Sequence, residues 1–190
     1  MYCVSAPHSI EDLIKKSRFI GVITPCQTEH DALQAISQLH TEHAHATHIA
    51  FAYRIQSSEG IRYRFHDAGE PSGTAGKPIY QHLEGKDLIN VLVAVIRYFG
   101  GVKLGAGGLT RAYGNTAGTV IESAAITDYI AMTTLHLTLD YQQLQAFEYH
   151  LKKQAGVILQ QDFVEQVHIT VELPQSNADS LLQSVNGQRF

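Results

Sequence analysis

The run "LINVLVAVIRYF", residues 88–99, constrains the fold more than any other stretch of the chain. It is apolar almost throughout, and Ile89, Val91, Val93, Val95 and Ile96 are β-branched. A strand with one wet face alternates apolar and polar residues, whereas a strand that does not alternate is covered on both faces. The run therefore reads as a central strand. Asn90 interrupts it, and it is too short to cross a bilayer.

The neighbouring segments supply the rest of a first domain. "RFIGVIT" (18–24) reads as a first strand, and "HDALQAISQLH" (30–40) sets Leu33, Ile36 and Leu39 on one helical face. Ile49, Phe51, Tyr53 and Ile55, then Ile61, Tyr63 and Phe65, interleave with His48, Arg54, Arg62, Arg64 and His66. Two strands joined through "SSEG" fit this pattern, as a hairpin with one apolar and one basic face. Pro78 suits the first turn of a short helix with Ile79, Tyr80 and Leu83 inward and Gly85 past its end. Leu109, Ala112, Thr116, Val120 and Ala124 then recur at helical spacing, which closes the domain near residue 126.

A second unit starts near residue 133. Leu135, Leu137 and Leu139 alternate as a strand, and Leu144, Phe147 and Leu151 follow as a helix closed by Gly156. Strands near 157–163 and 167–173 and a helix near 177–185 complete a β-α-β-β-α order. A ferredoxin-like domain needs one further strand, and "NGQRF" stands where that strand would begin. The expectation is a three-stranded domain with Phe190 tucked against its helix, or pairing with a second molecule through the open edge. The chain is thus read as α+β, with domains at 1–127 and 133–190.

Charge narrows the choice of partner. Residues 54–111 carry 8 basic and 5 acidic side chains, although the whole chain is at −4. The basic excess coincides with the glycine-rich segments, which suits a surface for an anionic partner. The N-terminus lacks the basic-then-apolar order of a signal peptide, and two distant cysteines, Cys3 and Cys26, favour a reducing cytoplasm.

"HDAGEPSGTAGKP" looks like a phosphate loop until its spacing is counted. That motif needs a glycine five residues before Gly76 and a hydroxyl after Lys77, where this chain has Pro71 and Pro78. Proline supplies neither an N–H nor a hydroxyl. "GVKLGAGGLT" likewise has Thr110 where a dinucleotide fingerprint needs its third glycine. What remains is a strand, a glycine-rich turn and a helix start, flanked by Lys103 and Arg111, where free N–H groups can hold an anion. His40, His43, His45 and His48 fit no usual zinc spacing and read as an exposed turn. Ser72 lies outside any nucleophile elbow. Asp67 and Glu70, on a proline-glycine loop, suit binding of backbone N–H groups or of Arg and Lys.

Taken together, "GEPSGTAGKP" and "RYFGGVKLGAGGLTRAYG" resemble the two signature segments of the IMPACT family, YigZ type, over roughly residues 15–125. The resemblance implies an N-terminal domain of the ribosomal protein S5 domain-2-like fold and a ferredoxin-like C-terminal domain. Eukaryotic members bind the large ribosome-associated activator of the amino-acid-starvation kinase and restrain that kinase. His66 and Ala68 depart from the family's usual serine and second aspartate, which counts against a catalytic aspartate pair.

The reading that follows is a non-enzymatic module contacting RNA, the ribosome or a ribosome-associated protein. It is placed in the cytoplasm, without cofactor, metal or membrane, as a monomer or weak homo-oligomer. Its expected binding surface is Asp67, Glu70, Ser72, Thr74, Lys77, Arg97, Tyr98, Lys103, Arg111 and Tyr113. Lys77, Arg97, Lys103 and Arg111 would present charge to the partner. Pro71, Gly73, Gly76, Pro78, Gly100, Gly101, Gly105 and Gly108 shape the loops. The alternative is a small-molecule kinase or other phosphate-handling enzyme. "LGAGGLTRA" is similar to the glycine-serine loop of the GHMP kinases, without its serine run.

Overall fold

A computed structural model describes residues 1–186, and in it the run at 88–99 lies at the middle of a five-stranded sheet. The first unit, Met1–Tyr129, comprises β1 (Tyr2–Val4), β2 (His8–Ile14), β3 (Ser17–Pro25), α1 (Glu29–Glu42) and β4 (His48–Ser57). It continues with β5 (Gly60–His66), α2 (Gly76–Gly85), β6 (Val91–Tyr98), α3 (Ala106–Ser123) and β7 (Ile126–Asp128). The sheet order is β2-β3-β6-β4-β5, and every neighbouring pair is antiparallel.

β6 is buried from Val91 to Arg97 because both faces are occupied. Leu92, Ala94 and Ile96 meet α1 through Ala32, Ile36 and Leu39, whereas Val91, Val93 and Val95 meet α2 and α3. Truncating one of the large residues in such a core costs about 2–5 kcal/mol. Thr28 and Asp31 form a capping box at the start of α1, with Asp31 N–H donating to Thr28 Oγ1 at 3.1 Å. Leu33 is 47% exposed, because the face of α1 that meets the sheet runs through Ala32, Ile36 and Leu39.

The register of the β4–β5 hairpin overturns the expected division into an apolar and a basic face. Tyr53 lies opposite Arg64, Phe51 opposite His66, and Arg54 opposite Tyr63. Directly opposed residues share a face, so the apolar row of β4 sits beside the basic row of β5. Arg54 is consequently buried on the α2 side, where its Nη1 donates to the carbonyls of Leu83 and Leu88 at 3.2 and 3.0 Å. β5 is an edge strand, and Ile61, Tyr63 and Phe65 are exposed rather than half-buried. The short ribbon β1–β7, which the sequence pattern does not mark, ties the start of the unit to its end.

The second unit, Ile130–Phe190, comprises β8 (Met132–Leu139), α4 (Leu144–Lys153), β9 (Val157–Phe163), β10 (Val167–Pro174) and α5 (Ala178–Asn186). Its antiparallel sheet has the order β8-β10-β9. Val167, Ile169, Val171 and Leu173 line one face of β10; that face packs with Phe147, Leu151 and Leu181 from the two helices. The expected fourth strand and the placement of Phe190 lie outside the described residues.

Each unit has its own core, so the link between β7 and β8 is the expected weak point. Limited proteolysis should cut first between about residues 126 and 133. Preferred cleavage near residue 70 would overturn this division.

Candidate functional site

Asp67, at the end of the β5 edge strand, closes the proline-glycine loop on itself. One of its carboxylate oxygens accepts the Ala75 and Gly76 N–H groups at 2.9 and 2.8 Å, and the other accepts Gly73 N–H at 2.8 Å. The N-terminus of α2 is therefore already filled by a carboxylate of its own chain. Partial burial pushes the Asp67 carboxyl pKa up, but the three N–H donors outweigh it and hold the carboxyl below the ordinary range. Thr74 is buried, its hydroxyl donating to the Pro71 carbonyl at 2.6 Å. Ser72 and Lys77 remain exposed.

Glu70, three residues on, turns inward. Its Oε1 accepts Arg97 Nη1 at 2.7 Å and the Tyr113 hydroxyl at 2.8 Å. His48 Nε2 stands 3.8 Å from the same oxygen. The Nδ1 of His48 lies 2.8 Å from the Ala68 carbonyl. A carbonyl only accepts, so Nδ1 carries the hydrogen in that bond. Burial, then the Glu70 carboxylate, push the Tyr113 phenol well above its ordinary range, so it stays a neutral donor. The Arg97 guanidinium lies between the Phe19 and Phe99 rings, 5.6 and 5.4 Å from their centroids. Its Nη2 reaches Ser17 Oγ at 3.4 Å, and Ser17 Oγ also accepts Gly100 N–H at 3.2 Å. A Cβ on Gly100 would collide with the backbone of Lys16, so glycine there permits the close approach.

These contacts correct the expected surface. Glu70, Thr74, Arg97 and Tyr113 are buried, so they shape the site from within and offer no face to a partner. Arg97 in particular presents no free charge, because Glu70 meets it inside. Tyr98 points to the opposite face of the sheet, where its hydroxyl lies 2.9 Å from His43 Nδ1. Lys103 and Arg111 are exposed, and among the described residues neither they nor Lys77 form an ion pair.

α3 begins differently from α2. Gly105, with φ of 73°, turns the chain into the helix, and no side chain caps it. Its first turn holds no acid. The N–H groups of Ala106, Gly107 and Gly108 have no intrahelical acceptor; the first bond closing the turn is Leu109 N–H to the Gly105 carbonyl, at 2.9 Å. Beside this open end lies a cavity of about 390 Å³. His48, Glu70, Arg97 and Lys103 line part of it; Pro71, Phe99, Leu104 and Leu109 form apolar wall. Sequence reasoning missed His48 here, since only the fold brings it to Lys103, and it passed over Phe99 and Leu104, which stand near Lys103 in the chain but carry no polar signal. A second, shallower groove of about 270 Å³ runs between α2 and α3, past Gln81, His82, Arg111 and Asn115.

The chemistry available is electrostatic recognition. Glu70 is the carboxylate on the cavity wall, and Arg97 and Tyr113 already occupy it. Burial pushes the Cys26 thiol up to about 11, so it is inert as a nucleophile near neutral pH. Among the described residues no His, Cys, Asp and Glu cluster is arranged to hold a metal. No described helix is long and apolar enough to cross a membrane.

Two outcomes follow. Glu70→Ala should cost about 3–5 kcal/mol in urea unfolding, since it strands a buried guanidinium. Asp67→Asn should cost about 1–3 kcal/mol near neutral pH. The folded-state pKa of Asp67 is depressed, so its stabilisation is complete above the unfolded value of about 3.9. It erodes as the pH falls through the lower folded-state value, and wild type and Asp67→Asn should converge there. An unchanged difference at low pH would contradict the capping role.

Comparison with known proteins places these segments. The Impact N-terminal domain matches residues 15–121, and a domain of unknown function, DUF1949, matches residues 137–186. The IMPACT family member YvyE of Bacillus subtilis (strain 168) is 35% identical over 182 residues, covering 94% of this chain and 83% of that one. The family member YigZ of Escherichia coli (strain K12) is 32% identical over 171 residues, 90% of this chain and 84% of that one. A crystal structure of a hypothetical protein aligns with a TM-score of 0.74 at 29% identity, over 99% of this chain and 92% of that one. Both glycine-rich segments and the whole β6–α3 connection fall within the first match, and the chain belongs to the IMPACT family.

Proposed function

We propose that this chain is a non-enzymatic binding module of the translation-regulator kind, whose first unit grips phosphate groups of RNA, free or in the ribosome. The observation that carries the reading is a division of charge. Asp67 and Glu70, the acids of the proline-glycine loop, are consumed internally by N–H groups, Arg97 and Tyr113. Lys77, Lys103 and Arg111, the cations of the same segments, stand exposed and unpaired among the described residues. An outer surface stripped of its acids attracts polyanions and orients them. The groove between α2 and α3 offers Gln81, Asn115 and His82 beside Arg111 as further polar contacts.

Family membership supports a role in translation, as the resemblance implies for eukaryotic members. The finer fold assignments belong to the same proposal. The β-α-β-β-α order with strands β8-β10-β9 and both helices on one face supports a ferredoxin-like second domain. The first unit is taken as an S5 domain-2-like fold, and the cytoplasm as its place of work. An enzymatic reading gains no support from Glu70, which has no free acceptor role to offer as a general base.

Filter binding or sedimentation with ribosomes and with RNA tests the reading. Wild type should bind more weakly as salt rises, because each neutralised phosphate releases counterions. Lys77→Glu with Arg111→Glu should lower affinity about uniformly across sequences and reduce the salt slope by about two. Wild-type protein that binds neither at low salt would sink the RNA version and leave a protein partner.

A further inference from the structure

We propose that the open edge of β5 docks an extended acidic segment of a partner protein, which adds antiparallel to the five-stranded sheet as a further strand. The edge uses none of the cations assigned to RNA, so neither reading needs the other.

β5 borders only β4, and the hairpin register fixes which of its backbone groups are free. Ser57 and Gly60 face each other across a two-residue turn, so they form a hydrogen-bonded pair. Bonded and unbonded pairs alternate along an antiparallel ladder, which makes Ile55 with Arg62 and Tyr53 with Arg64 bonded pairs too. Gln56, opposite Ile61, agrees with this phase: its N–H turns away from β5 and donates to Asn90 Oδ1 at 2.9 Å. The N–H and C=O groups of Ile61, Tyr63 and Phe65 therefore face outward. Among the described residues no other backbone group meets them. Such edges are ordinarily blunted by a proline, a lysine or a bulge, and β5 has none of the three.

The same three residues carry an exposed apolar row, with Ile61, Tyr63 and Phe65 at 37, 56 and 40% exposure. Tyr80 of α2 extends it, its ring centroid 4.8 Å from that of Tyr63 and 5.6 Å from that of Phe65. An arriving strand bonds to these residues through its backbone and lays apolar side chains on the same row. Arg62 and Arg64 project to the other face. Arg62 is matched by Glu59 and Glu29 at 2.6 and 3.4 Å, whereas Arg64 has no ion partner among the described residues. Charge decides the occupant. A second copy laid antiparallel over the whole strand sets Arg62 against Arg64 twice, and like charges directly opposed are destabilising. An acid opposite Arg64 is favoured instead, so the fitting segment alternates apolar residues with aspartate or glutamate. Single-stranded RNA would use the aromatic rings but leave the outward backbone groups unmet, which makes a peptide the better fit.

The probe is the labelled peptide Thr-Val-Glu-Val-Glu-Val-Thr, added to the full chain and followed by fluorescence anisotropy and amide hydrogen exchange. Binding is expected to slow exchange at the Ile61, Tyr63 and Phe65 amides. In the antiparallel register the three valines lie opposite these residues and exchange both hydrogen bonds with them. N-methylation of the valine amides should abolish binding, whereas N-methylation of the glutamate amides should leave it within about twofold. The protein is unaltered in this comparison, so no folding defect can mimic the loss. Arg64→Glu should weaken the peptide about fivefold, and a peptide with lysine in place of glutamate should recover the loss. Equal binding by the two methylated peptides would overturn strand addition, as would unprotected amides at millimolar peptide. Protection that grows with protein concentration alone would overturn the choice of occupant in favour of a second copy. Protection by oligouridine without peptide binding would overturn it in favour of RNA. Peptide binding without RNA association removes the outer-face reading alone, and RNA association without peptide binding removes this docking edge alone.

Discussion

The contact between Glu70 and Arg97 holds this end of the first unit together. A carboxylate and a guanidinium cannot be left dry without a partner, and desolvating both is costly even when they meet. Here the cost is offset by packing the pair into a ring of donors and aromatic faces. Tyr113 from α3 shares the carboxylate, Ser17 from β3 takes a second guanidinium nitrogen, and the Phe19 and Phe99 rings lie beside the guanidinium. One interaction thereby joins the proline-glycine loop, the end of β6, the start of β3 and the middle of α3. The glycine-rich turn leaves β6 immediately afterwards, and Gly100 is tied to the same Ser17 hydroxyl. The position of Lys103 and of the open helix end is inherited from a buried ion pair.

That arrangement also explains why two acidic residues on an exposed-looking loop do not make the surface acidic. Asp67 spends its charge on three N–H groups and Glu70 spends its charge on Arg97. Both are structural, and both remove negative charge from the face that Lys77 and Arg111 occupy. An acid that caps its own helix prevents an anion from binding there, so the phosphate-loop appearance of residues 66–85 is undone by the chain itself. The helix start left without a capping side chain is that of α3.

Much of this was legible in the residues. The unbroken apolar run had to be central, because no half-exposed strand tolerates Val91 to Ile96 without a polar break. The helices read at 30–40 and along Leu109–Ala124 were legible from their spacing, with observed bounds of Glu29–Glu42 and Ala106–Ser123, and the β-α-β-β-α order of the second unit followed from alternation and glycine punctuation. The register of the hairpin was not legible. Alternation within β4 and within β5 says which residues share a face of each strand, but not how one strand is set against the other. A shift of one residue exchanges every face. Arg97 was placed on the surface for a related reason. Its partner lies 27 residues away in sequence, and nothing local distinguishes a paired arginine from a solvated one. β1 and β7, three residues each, carry too little pattern to register. The cavity was half visible, as Lys103 beside a glycine-rich helix start, but His48 reaches it only through the sheet.

The relative positions of the two helix starts depend on a packing detail. A Cβ on Gly114 would lie 3.7 Å from Pro78, and one on Gly118 would lie 3.0 Å from His82. Pro78 and His82 are four residues apart on α2, as are Gly114 and Gly118 on α3, so the helices run parallel and close, one helix seated against glycines of the other. Level for level, the first residue of α2, Gly76, then lies beside Ala112. α3 begins six residues earlier, at Ala106, and at 1.5 Å per residue its start projects roughly 9 Å beyond that of α2. Parallel helices with level starts would set the Asp67 carboxylate close to the open N–H groups of α3, where it would repel any anion. The offset keeps the filled helix end and the open one apart, and at these two contacts glycine in place of larger residues lets α3 slide past α2 at close range.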